Sequence, residues 1–282
     1  MTNKDGINVL FQNDHHACIS FSALVHGDGV QANQFLITNG KHAALIDPGG
    51  DLTYTPLNIE LSKHVNLQNL DYIFASHQDP DIITSLPRWL MHSNCKIVCS
   101  KLWARFLPHL SSSFMMGQSR GNMSERLIEL ADRGLNIPFG TSTIRCIPAH
   151  FLHSVGNFQF YDSESKILFS GDMGASLVPE AVASKPVEDF NQHIPSMRAF
   201  HQRYMCSNKA SRLWADMVRH MDVDMLVPQH GRPFKGKEMV TQFLDWISEL
   251  PCGVDLLKAD NYQVPKEFYH PSNAAADSLP EL

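Results

Sequence analysis

Four apolar runs in this chain end the same way, and that repetition limits what it can fold into. Leu70-Asp-Tyr-Ile-Phe-Ala-Ser76 runs into His77-Gln-Asp79-Pro-Asp81. Thr143-Ile-Arg-Cys-Ile-Pro-Ala149 runs into His150-Phe-Leu-His153. Ile167-Leu-Phe-Ser170 is followed by Gly171-Asp172, and Met225-Leu-Val-Pro-Gln229 by His230-Gly231. Short apolar runs bounded by turn residues read as buried strands. A histidine or carboxylate just past the carboxyl end of a strand lies where ligands collect on an α/β sheet. Four such endings imply loops converging on one site.

The rest of the chain agrees with mixed α/β layers. Gln34–Thr38, Asn39-Gly40 and Lys41–Ile46 read as a hairpin with a two-residue turn. Asp47-Pro-Gly-Gly50 breaks its second strand. Helical stretches are expected over 59–65, 85–92, 101–110 and 124–133, and over 197–221 with an interruption near Ser207-Asn208. Strands are expected over 70–75, 95–100, 142–147, 158–162, 167–170 and 225–227. Alternation of this kind predicts a sheet core covered by helices. Residues 111–122 read as a loop or lid, and the proline-bearing tail beyond Asp260 as irregular. The tryptophans Trp89, Trp103, Trp214 and Trp246 fall in helical patterns and read as packing.

Composition removes several function classes. The net charge is −6 and no lysine or arginine cluster stands out, which argues against nucleic acid as a partner. No run approaches the length of a membrane span, and the N-terminus lacks the apolar core of a secretory signal. The six cysteines form no Cys-x-x-Cys pair and read as reduced thiols, so a cytoplasmic protein is expected. The 15 histidines favour a metal site. Three histidines with three carboxylates and no strand-end cysteine are a nitrogen and oxygen donor set. Such a set can hold two ions if one carboxylate bridges them. Other histidines, His16 and His201 among them, lack this context and read as core or surface residues.

His77-x-Asp79-x-Asp81 with His153, Asp172 and His230 resembles the metal-binding pattern of the metallo-β-lactamase superfamily, which implies an αββα sandwich with its core over about 30–250. The hydrolases of that superfamily usually read His-x-His-x-Asp-His, whereas here Asp79 and Ile82 stand at the second and last histidine positions. The first motif is closer to the His-x-Glu-x-Asp-His of flavodiiron proteins. Ser76–Pro87 and Lys96–Lys101 resemble that branch beyond the ligands. The eighteen residues between His153 and Asp172 match its spacing, which selects His153 over His150. By this resemblance the first iron takes His77, Asp79 and His153, the second takes Asp81 and His230, and Asp172 bridges.

The chain resembles the oxygen-binding diiron proteins in particular, stand-alone relatives associated with bacterial chemotaxis receptors. A single domain over 1–282 is therefore expected, with no flavodoxin-like portion and no FMN. The resemblance implies two non-haem iron ions that bind dioxygen as a peroxo-type adduct. It further implies an oxygen sensor rather than a turnover enzyme, read by a methyl-accepting chemotaxis receptor, and a homodimer. A sensor of this kind signals only if oxygen shifts the balance between two conformations. The alternatives are a flavodiiron-type oxygen or nitric oxide reductase with a separate electron donor, and a zinc-dependent hydrolase. His150 is read either as an outer partner or replacement ligand or as an ordinary strand-end histidine. Tyr204 is a further candidate if its helix folds over the site.

Overall fold

The computed structural model describes residues 6–25, 29–111 and 123–266. Two sheets are formed. The first holds seven strands in the order β1 (Ile7–Gln12), β2 (His16–Phe21), β3 (Gln34–Asn39), β4 (His42–Ile46), β5 (Leu70–Phe74), β6 (Lys96–Ser100) and β7 (Leu127–Leu130). The second holds β8 (Leu135–Phe139), β9 (Ser142–Pro148), β10 (Phe158–Asp162), β11 (Ile167–Phe169), β12 (Met225–Val227) and β13 (Phe234–Lys235), adjacent in that order.

Side-chain alternation explains the layering, because successive residues of a strand face opposite sides. Phe35, Ile37, Ala44, Ile46, Phe74 and Val98 of the first sheet share one cluster with Ile144, Phe158, Phe160, Ile167, Phe169 and Val227 of the second. That cluster is the layer between the sheets. The intervening residues Leu36, Leu45, Ile73 and Ile97 face outward onto Leu57, Leu61, Leu86 and Trp89, which belong to the helices Asp51–Leu61 and Leu86–His92. Leu168 and Leu226 face the other way, onto Trp214, Val218, Phe243 and Ile247 of the helices Asn208–Arg219 and Lys237–Glu249. The result is the expected αββα sandwich. Each fully buried phenylalanine stabilises it by about 1.5–3 kcal/mol.

Two local expectations are corrected. The hairpin forms, but its turn is Gly40-Lys41, because Asn39 pairs with His42. Asn39 is buried, and its amide is needed for hydrogen bonds to His16 and Thr141. Residues 124–133 are not a helix: a 3-10 turn, Met123–Arg126, leads into β7, which runs parallel to β6. The Arg126 guanidinium donates to the carbonyls of Leu90, Ser93 and Cys95, which anchors the turn and lets Leu127 extend along β6. Strands β1, β2, β8 and β13 have no counterpart among the expected elements. The expected lid, 111–122, lies outside the described residues apart from Ser111.

Strand direction locates the site. β4, β5 and β6 are mutually parallel, and so are β11 and β12. β9 and β11 are each antiparallel to β10 and therefore run the same way. The carboxyl ends of β5, β9, β11 and β12 accordingly carry the four motif loops.

His201, on the helix Phe190–Tyr204, ties that helix to one of these loops. Its Nδ1–H donates to the Met197 carbonyl at 2.8 Å, and its Nε2 accepts from the Gly174 amide at 3.0 Å. Burial pushes this imidazole down to about 4 from an ordinary 6.5. The unfolded chain thus accepts a proton that the native state refuses. The contribution of His201 is complete above about pH 6.5 and is lost as pH falls toward 4. Between pH 7 and pH 5, urea-unfolding stability should fall by about 2 kcal/mol more in the wild type than in His201→Gln. His193, lowered to about 4 by burial, acts alike in both proteins.

Candidate metal centre

All six motif side chains meet at one edge of the sandwich, around Asp172. His153 Nε2 lies 2.8 Å from Asp172 Oδ2 and 3.2 Å from Asp79 Oδ2. His77 Nε2 lies 3.6 Å and 3.7 Å from the same two oxygens. On the other side, His230 Nε2 is 3.5 Å from Asp172 Oδ1 and 3.7 Å from Asp81 Oδ2. The two oxygens of Asp172 thus face two different donor sets. The ligand atoms of His77, His153 and Asp172 lie within 4.8 Å of one another. Asp172 is buried, and its Oδ1 has no hydrogen-bond partner. A buried carboxylate oxygen left so is costly unless a cation completes it.

The backbone explains the convergence. Asp79 and Asp81 flank Pro80 at the start of the short helix Pro80–Ile83, so both carboxylates leave the same turn. A Cβ on Gly50 would come within 3.1 Å of the Pro80 carbonyl and the Asp81 Cα, so a larger residue there would press the two loops apart by a few tenths of an ångström. Gly231 has φ +82°, and a Cβ there would lie 2.0 Å from Ser176 Oγ. That contact seats the loop behind His230.

Further groups fix the imidazoles. His230 donates its Nδ1–H to the Gln31 carbonyl at 2.7 Å, which aims Nε2 at Asp172 and Asp81. His77 Nδ1 is hydrogen-bonded to Ser76 Oγ at 2.9 Å. Ser76 in turn accepts from Gln229 at 2.9 Å, and its backbone amide donates to Asp47 Oδ1 at 2.9 Å. Gln229 also donates to Asp47 Oδ2. Outer partners of this kind orient metal-binding histidines. Burial raises the Asp47 carboxyl to about 6. Sequence reasoning missed Asp47, Ser76 and Gln229. The available signal was that Asp47 also follows the carboxyl end of a strand, β4.

The electrostatics follow from crowding. Burial opposes charge on Asp172, but His77, His153 and His230 outweigh it and hold the carboxyl at about 2. Asp79 is likewise held well below the usual range, because hydrogen bonds from His153 and His77 overcome its burial. Burial would lower His153, but Asp172 and Asp79 raise it to about 10. His77 is raised by the same neighbours against its own burial. Metal ions compete with these protons for the same nitrogen and oxygen lone pairs. The nitrogen and oxygen donors, divided between the two oxygens of Asp172, fit a pair of ions.

The remaining candidates separate. Tyr204 reaches the site, with its ring edge-on to His153 at 5.7 Å. His150 turns away: its Nε2 donates to the Asp132 carbonyl at 2.8 Å and its ring packs on Phe158. No hydrogen bond or ion pair among the described residues joins it to the six, so the reading as an outer partner or replacement ligand is corrected to the strand-end one. Ile82, at the position where the related motif carries histidine, is fully buried among the outward residues of the first sheet.

A second cluster, His16, Cys18 and Asp162, occupies the opposite edge. His16 Nε2 lies 2.7 Å from Asp162 Oδ2, and Cys18 Sγ lies 3.5 Å from that oxygen. Asn39 Oδ1 accepts from Thr141, so its amide nitrogen is the atom that donates to His16 Nδ1. Both ring nitrogens of His16 are therefore engaged within the protein, Nδ1 by the Asn39 amide and Nε2 by Asp162. The cluster is a polar clamp between β2 and the β10–β11 turn.

Comparison with known proteins agrees with this geometry. A family model described as "ODP family beta lactamase" matches residues 30–231. The solved structure "Peroxy diiron species of chemotaxis sensor ODP" is 37% identical, covers 89% of this chain and 97% of that one, and superposes with a TM-score of 0.77. A metal-soaked Flv1 flavodiiron core from Synechocystis shares the fold at 17% identity, covering 86% of this chain and 61% of that one, with a TM-score of 0.69. An uncharacterized protein of Methanocaldococcus jannaschii is 25% identical over 272 residues, which is 90% of this chain and 62% of that protein. This chain thus spans less than two thirds of the length of that curated relative. On the family match and the 37% identity, the chain belongs to the ODP family of β-lactamase-fold proteins.

Proposed function

We propose that this protein is a non-haem diiron protein that binds dioxygen and serves as an oxygen sensor in bacterial chemotaxis signalling. The observation that carries the reading is the position of Asp172, one oxygen toward His77 and His153 and the other toward His230. His77, Asp79 and His153 would hold one iron, Asp81 and His230 the other, with Asp172 shared. The 37%-identical relative is itself described as a peroxy diiron species of a chemotaxis sensor, which supports the diiron oxygen-sensor reading. Two ferrous ions would supply the electrons and open coordination positions that dioxygen binding requires.

The protein groups do the rest. Asp79, Asp81 and Asp172 offset the repulsion between two close cations. Ser76 and the Gln31 carbonyl fix the imidazole orientations. The Tyr204 ring covers the His153 side. We read the partner as a methyl-accepting chemotaxis receptor, the assembly as a homodimer and the location as the cytoplasm. The free cysteines support that location.

The reading is tested by anaerobic reduction of the iron-loaded protein, exposure to oxygen and visible absorption. The expected outcome is about two irons per chain and a long-lived charge-transfer band. Rapid return to a plain diferric spectrum with sustained oxygen consumption would instead indicate a reductase, and zinc without colour a hydrolase. Asp172→Asn should retain well under two irons per chain in metal analysis, because the shared negative charge is gone. Ser76→Ala keeps all six proposed ligands but loses the His77 partner, and should weaken iron binding by roughly 10–100-fold in a chelator competition.

A further inference from the structure

Beside His230 lies a cavity of about 360 Å³. Leu177, Val178, Ala183, Phe200 and Tyr204 make most of its lining apolar, while Gln31, Ser176 and His230 also border it. The rings of Phe200 and Tyr204 are stacked, 4.8 Å between centroids and 26° between planes. Tyr204 also faces His153, so one ring belongs to both the cavity and the metal centre. Glu180 is the one carboxylate on this wall, and no lysine or arginine lines it among the described residues.

The other approach to the centre differs in kind. It passes Asp79 and Asp81, whose side chains are 34% and 33% exposed. That polar, negatively charged opening suits water and cations. Dioxygen has neither charge nor dipole, so an apolar volume competes well for it while offering water few partners. Apolar cavity walls hold small apolar molecules such as xenon.

We propose that this cavity is the antechamber through which dioxygen reaches the centre, with the Tyr204 ring as the wall between the two. The inference rests on the oxygen-binding reading above and adds the route. Xenon is the probe for the cavity, and it needs no iron. Crystals of the metal-free protein pressurised with xenon should show it seated against the Phe200–Tyr204 pair. Ala183→Phe, on the half-buried wall, and Leu177→Trp, on the exposed rim, should each exclude it. In stopped-flow mixing of the ferrous protein with oxygen, both variants should take up oxygen several-fold more slowly, with wild-type iron content and melting temperature.

Absence of xenon from the wild-type cavity would overturn the inference. Filled variants that bind oxygen at the wild-type rate would overturn it alone and assign the route to the Asp79–Asp81 side. A fully iron-loaded wild type that takes up no oxygen would defeat the functional reading, and this inference with it.

Discussion

A single buried carboxylate, Asp172, organises this molecule. Three imidazole Nε2 atoms lie within 3.6 Å of it, and the charge among them holds the carboxyl near 2 in spite of complete burial. A group of this kind persists only if opposite charge surrounds it, because desolvation alone would neutralise it. Much of the architecture can be understood as delivering those partners. The parallel pairs β4–β5 and β11–β12, from different sheets, end at the same edge, and the loops leaving them supply His77, Asp172 and His230. Behind them, the Asp47–Ser76–Gln229 network joins the residues just before His77 and His230 into one hydrogen-bonded unit across the two sheets.

The two edges of the sandwich hold chemically similar residues put to different use. At the site, histidine nitrogens converge on carboxylates while their other ring nitrogens are held by Gln31 and Ser76. At the far edge, the His16 ring is satisfied on both nitrogens, by Asn39 and Asp162, and Cys18 is a thiol whose ionisation is suppressed by burial. One arrangement gathers three imidazoles around a shared carboxylate with an unpartnered oxygen, and the other closes its hydrogen bonds around a single imidazole. Proximity of metal-binding residue types does not distinguish the two, whereas the number of imidazoles on one carboxylate does.

Much of this was legible in the sequence, for physical reasons. Each of the motif loops follows a strand whose alternating or continuous apolar pattern is strong, so the ends could be placed. The six side chains drawn from them lie together around Asp172, and Tyr204 reaches His153. Other features depend on long-range partners that a linear pattern does not record. β7 looks helical locally, yet Arg126 and the edge of β6 make it a strand. Asn39 fits a turn by type, but its amide is consumed by His16 and Thr141. His201 gives no local sign of holding the Gly174 amide. His150 and His153 are distinguished by spacing only through family resemblance, and in space by the Asp132 carbonyl that draws His150 away.

The central claim is that one carboxylate is shared between two iron ions. The most direct measurement is a crystal structure of the iron-loaded protein with anomalous data collected above and below the iron absorption edge. The account predicts two anomalous peaks, one beside His77 and His153 and the other beside His230, with one oxygen of Asp172 directed at each. A single peak, or a signal at the zinc edge instead, would contradict it.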